Sequence, residues 1–120
     1  MKSIAVYLNV IAGVLLVVLV FTGCSRETAT EKDFAGKWKS SRLETPVFLY
    51  ENGEWEIKTD SGAVLQYGLW RYENKRITWT YKINSQIEND VNAVVSLTPQ
   101  EFHVRERDGT TTIFFRLDHN

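Results

Sequence analysis

The sequence predicts one small all-β domain over residues 34–120, an eight-stranded antiparallel up-and-down barrel. Three observations carry this reading. From Phe34 onward there is no helical period, and turn signals recur about every eight to twelve residues, the spacing of short strands. Between the turns, apolar side chains alternate with polar ones, as they do in a strand with one buried face. Each strand is then amphipathic and needs a partner layer or closure on itself, and a closed barrel leaves no free edges.

The elements follow in order. Residues 36–43 form the first strand. Asn52-Gly53 separates a strand over 46–51 from one over 54–59, and this dipeptide predicts a type I′ turn because Asn and Gly tolerate positive φ. Asp60-Ser61-Gly62 makes the next connection, and Asn74-Lys75 divides a strand over 64–73 from one over 76–84. Residues 85–90 read as a polar loop before a strand over 91–98, which Pro99-Gln100 ends. Asp108-Gly109 then joins strands over 101–107 and 110–117.

Alternation assigns the faces. Ile77, Trp79, Tyr81 and Ile83 point inward between Thr78, Thr80 and Lys82, and Trp55 and Ile57 point inward between Glu54, Glu56 and Lys58. Val91, Ala93, Val95 and Leu97 share one face, as do Phe102 and Val104. Two segments are apolar on both sides. Residues 64–72 set Gly68, Trp70 and Tyr72 against Leu65, Tyr67 and Leu69, and 46–50 has no polar face. Their outer faces are either covered or form a contact patch.

Composition narrows the function classes. Of 120 residues, 43% are apolar and the net charge is −1, which argues against nucleic acid because phosphate binding needs clustered excess Lys and Arg. No catalytic constellation, metal-ligand set or cofactor motif stands out around the two histidines and single cysteine. His103, Arg105 and Arg107 on one strand, and Glu51, Glu54 and Glu56 on one hairpin, read as solvated faces. Six rings, Trp38, Trp55, Trp70, Tyr72, Trp79 and Tyr81, are inward candidates. They either fill a solid core, which a small disulfide-free domain needs in order to fold, or line a cavity with Tyr72, Tyr81, Arg42 or Arg116 as polar anchors.

Seventeen of the first 23 residues are apolar, against 35 of the remaining 97. The uninterrupted run from Val10 to Phe21 has the length of a signal-peptide core behind Lys2, although an uncleaved membrane helix over 4–21 would use the same residues. Phe21-Thr22-Gly23-Cys24 resembles the lipobox of bacterial lipoproteins. That resemblance implies a signal peptide over 1–23, lipidation of Cys24 as the first mature residue, and a membrane anchor, since two or three acyl chains hold stably where one does not. Residues 25–33 read as a tether. Ser25 after the cysteine implies, by the same resemblance, the outer membrane facing the periplasm.

Gly36-Lys37-Trp38 at the start of the domain, Gly68-Leu69-Trp70, the Asn-Gly hairpin before Trp55 and Arg116 within Phe114-Phe115-Arg116-Leu117 together resemble the lipocalin-like lipoproteins of bacteria. The resemblance implies a barrel closed by Arg116 packed across Trp38, a cation–π pair contributing about 0.5–2 kcal/mol. It implies a binding role for a small apolar molecule or lipid; with no catalytic constellation the chain reads as no enzyme, and Trp55, Trp70, Tyr72, Trp79 and Tyr81 are the binding candidates among its rings. The alternative is a solid barrel that contacts an envelope protein, through the 64–72 face or the Glu-rich hairpin.

Overall fold

The computed structural model describes residues 29–118. Cys24, the apolar leader, residues 25–28 and His119 lie outside the described residues. Eight strands follow one another: β1 Gly36–Ser40, β2 Val47–Leu49, β3 Glu54–Lys58, β4 Val64–Glu73, β5 Arg76–Ile83, β6 Gln86–Leu97, β7 Glu101–Arg105 and β8 Thr111–Arg116. Each pairs antiparallel with its neighbour in sequence, and β8 returns to β1 to close the barrel. The fold is the eight-stranded up-and-down barrel expected from the alternation.

The hairpin turns differ from the expected types in an instructive way. At Asn52-Gly53 only Gly53 has positive φ, and its N–H donates to the Tyr50 carbonyl at 3.0 Å. This is a three-residue loop, a type I turn followed by a left-handed glycine, rather than a type I′ pair. The Asn52 side chain favours it by accepting the Glu54 N–H at 3.0 Å. The same hydrogen-bond pattern recurs at Gly62, which bonds back to Thr59, and at Gly109, which bonds back to Glu106. Two consecutive positive φ values, the type I′ signature, occur instead at Asn74-Lys75 and at Asn84-Ser85.

The second of these turns corrects the reading of 85–90 as a loop. Because Asn84-Ser85 reverses the chain in two residues, β6 begins at Gln86 and runs alongside β5, with Ile83 opposite Gln86 and Trp79 opposite Asp90. The inward face of β6 is also corrected. Asn92 is buried and Val94 and Leu97 pack on the core, while Val91 and Val95 are exposed. The two-residue turn causes the shift by setting Asn92 opposite buried Ile77, and the β-bulge between Val94 and Ser96 then returns Leu97 to the interior.

Residues 25–33 are not wholly a tether. Glu31–Asp33 forms a 3₁₀ turn, in which the Thr30 N–H donates to the Asp33 carboxylate at 2.9 Å. The turn delivers Phe34, fully buried, into one end of the barrel. From there rings run inward as a continuous series. Phe34 meets Phe102 edge-on at 5.0 Å, Phe102 stacks on Phe114 at 4.6 Å, Phe114 stacks on Trp79 at 6.0 Å, and Trp79 meets Trp55 edge-on at 6.3 Å.

Candidate functional site

Chain direction defines two barrel ends. The base gathers the N-terminal turn, the 50–53, 74–75 and 98–100 connections and the end of β8, while the mouth gathers the 41–46, 59–63, 84–85 and 106–110 connections.

The base is sealed by contacts between segments far apart in sequence. Phe34 packs on Tyr72 at 4.6 Å and on Phe102, and its carbonyl accepts the Trp38 Nε1–H at 2.8 Å. Arg116, opposite Trp38 in the β1–β8 register, places its guanidinium 4.3 Å from the centre of the Trp38 ring. The same guanidinium donates to the carbonyls of Pro99 at 2.7 Å, Ala35 at 3.0 Å and Asp33 at 3.1 Å. Arg116 therefore fastens the 3₁₀ turn, the β6–β7 connection and β1 together. Gly36 makes room for it, since φ is +142° there and a Cβ would collide with the guanidinium and lie 3.0 Å from Asp118.

The mouth opens into a cavity of about 420 Å³. Trp55, Trp79, Tyr81, Val47, Ile57 and Phe114 form its apolar wall. Trp55 lies across Gly68, its register partner, where an added Cβ would sit 2.8 Å from the indole nitrogen. Its Nε1–H donates to the Thr80 carbonyl at 3.3 Å. The interior is thus neither solid nor hollow throughout. Large rings fill the base and surround open space at the mouth.

The five ring candidates divide accordingly. Trp55, Trp79 and Tyr81 line the cavity. Trp70 and Tyr72 belong to the base, where the Trp70 Nε1–H donates to the Tyr50 carbonyl at 3.0 Å and Tyr72 packs on Phe34. Of the two arginine anchors, Arg42 lines the cavity and Arg116 does not.

A polar network that alternation did not single out forms the remaining wall. The Trp79 Nε1–H donates to Asn92 Oδ1 at 2.8 Å, the Asn92 amide donates to Glu106 Oε1 at 3.4 Å, and the Thr112 hydroxyl donates to Glu106 Oε2 at 2.6 Å. Arg42 approaches the same carboxylate at 3.6 Å, and Arg107 reaches Asp90 at 3.5 Å across the rim. Asn92 and Thr112 are buried, so Glu106 is held in place from the interior side. Beside it Asp108 accepts from the Thr110 N–H at 3.0 Å and from its hydroxyl at 2.7 Å, which holds its carboxyl below the usual carboxylate range.

The outer faces carry different chemistry. Leu65, Tyr67 and Leu69 form an exposed row on β4, at 60%, 71% and 56% of full accessibility. On β2, Phe48 is instead covered, with Lys58 4.6 Å and Lys37 5.5 Å from the centre of its ring. Glu56 accepts the Tyr50 hydroxyl at 2.8 Å, and burial first, then this bond, push the phenol upward. His103 Nε2 lies 2.8 Å from Glu101 Oε2 on the outside of β7. Among the described residues, no group of three or more His, Cys, Asp or Glu side chains converges as a metal site. Comparison with protein-family models, curated proteins and solved structures finds no match to this chain.

Proposed function

We propose that this chain is a lipid-anchored bacterial envelope protein of lipocalin-like type that binds a small apolar molecule, or the apolar part of a lipid, and is not an enzyme. The supporting observation is the cavity at the mouth. Its volume of about 420 Å³ falls within the range of small-molecule pockets, and its walls are mostly apolar with a few convergent polar groups, the usual composition of such sites.

The anchor is Cys24, carried by the lipobox-like sequence. Ala29 packs at the base beside Tyr72, and the five-residue step from Cys24 reaches at most about 18 Å. An anchor there holds the base toward an outer membrane and turns the mouth toward the periplasm. Ligand then enters from the aqueous side, not directly from the bilayer beneath. Cys24→Ala should abolish acylation and leave uncleaved precursor in the host; unchanged processing would remove the anchor from this account.

Native mass spectrometry of the protein extracted from its host's envelopes tests the binding role. A reproducible adduct that leaves on denaturation is the expected result. A bare mass under every growth condition would shift weight to a second reading, an envelope protein-interaction module. The exposed Leu65, Tyr67 and Leu69 row supports that reading, because contiguous apolar side chains on a sheet's outer face are typical of contact surfaces.

A further inference from the structure

Resting on that ligand-binding reading, we propose that the cavity takes an organic cation, an amine or quaternary ammonium carried on an apolar or aromatic body. The polar groups at the mouth are graded by depth. The carboxylates sit inward, with 19% of the Glu106 side chain and 30% of the Asp90 side chain exposed, whereas the guanidinium groups facing them lie outward, 54% exposed for Arg42 and 79% for Arg107. Glu106 is fixed by buried Thr112 and Asn92. Both arginines reach their carboxylates only at 3.5–3.6 Å from the solvent side. Exposed pairs of this kind are weak and readily exchanged.

A fixed inward carboxylate next to indole and phenol rings is a favourable setting for a positive ligand. The charge pairs with the carboxylate while the ring faces attract the cation and accept its apolar body. Arg42 and Arg107 act as placeholders that an incoming cation displaces. An anion would meet the outward guanidinium groups of Arg42 and Arg107 at the rim and go deeper only against the inward carboxylates of Glu106 and Asp90. The hydrogen-bond chain from Glu106 through Asn92 to Trp79 also couples occupancy of the carboxylate to an indole at the cavity wall.

The test uses three probes of nearly equal size, tryptamine, tryptophol and indole-3-propionate, titrated calorimetrically into the full chain in a neutral maltoside detergent with detergent-only blanks. Tryptamine should bind about tenfold more tightly than tryptophol, and indole-3-propionate least tightly. Glu106→Gln should erase the preference for the amine over the alcohol. Arg42→Ala should raise tryptamine affinity by about threefold, the gain expected when a competing cation is removed, and this variant decides the matter even if Glu106→Gln fails to fold. Equal binding of amine and alcohol would overturn the cation while leaving the cavity reading intact. Tightest binding by the propionate, weakened in Arg42→Ala, would also overturn it. No saturable binding of any probe would remove the cavity reading together with the cation.

Discussion

At the base of the barrel, Phe34, Trp38 and Phe102 pack ring against ring and Arg116 ties three carbonyls around them. At the mouth, Trp55, Trp79 and Tyr81 stand around open space, and the charged groups beside them pair across the rim. Both ends draw on aromatic and arginine side chains. They differ in what fills the axis. The base receives Phe34 from a segment outside the sheet, while no such segment enters the mouth among the described residues. A barrel of this strand number is just wide enough to be filled by side chains or to hold one small ligand. This one is filled at one end and open at the other.

The contrast can be broken most sharply at Phe34. Phe34→Ala removes the fully buried plug and should cost about 3–5 kcal/mol in denaturant unfolding, because the surrounding rings cannot collapse into the space. Arg116→Ala comes next, at about 1.5–3 kcal/mol for charge-assisted hydrogen bonds together with the stacked ring, accompanied by a change in tryptophan emission. Arg116→Lys should recover little, since one ammonium cannot match the planar fork over Trp38. Unchanged stability and emission in Arg116→Ala would separate the base from its proposed fastening.

At the mouth, Asn92→Ala should cost about 1–2 kcal/mol by leaving the Trp79 indole and the Glu106 carboxylate each short of a partner. Probe affinity should fall in the same variant. The smallest effect belongs to the outer row, where Leu65→Ser should stay within about 0.5 kcal/mol of the parent because the side chain is already mostly exposed. A large loss there would show that the row is covered in solution and strengthen the interaction reading.

How much of this was legible in the sequence depended on where each feature's cause lies. The β5 pattern of Ile77, Trp79 and Tyr81 is local, and the strand lies with those side chains toward the interior, although Ile83 runs out to an exposed position. The inward face of β6 is not local, because the Asn84-Ser85 turn sets its register against β5 and places polar Asn92 opposite buried Ile77, where alternation alone puts valines. Asn84-Ser85 contains no glycine, so the sequence alone reads as the start of a loop where the chain makes a two-residue turn. Phe34 lies before the first strand and has no alternation to report its burial.

The polar wall was hidden for a further reason. Arg42 and Glu106 flank connections that converge only when β8 closes on β1, bringing residues far apart in sequence to one rim. The Trp38–Arg116 geometry, by contrast, could be anticipated from resemblance, although alternation alone did not supply it. A signal for the Glu106 site was present in the run Glu106-Arg107-Asp108-Gly109, whose turn geometry places two carboxylates at one end of β7.

The most direct measurement is saturable binding of N-phenyl-1-naphthylamine, a neutral aromatic probe followed by its fluorescence, to the parent chain and to two substitutions at opposite ends. Ile57→Trp places bulk in the cavity wall at the mouth, whereas Tyr72→Phe alters only a hydroxyl at the base. The account predicts one site per chain in the parent and in Tyr72→Phe, and its loss in Ile57→Trp with the fold retained. Equal binding by all three, or loss in Tyr72→Phe alone, would contradict an open mouth above a sealed base.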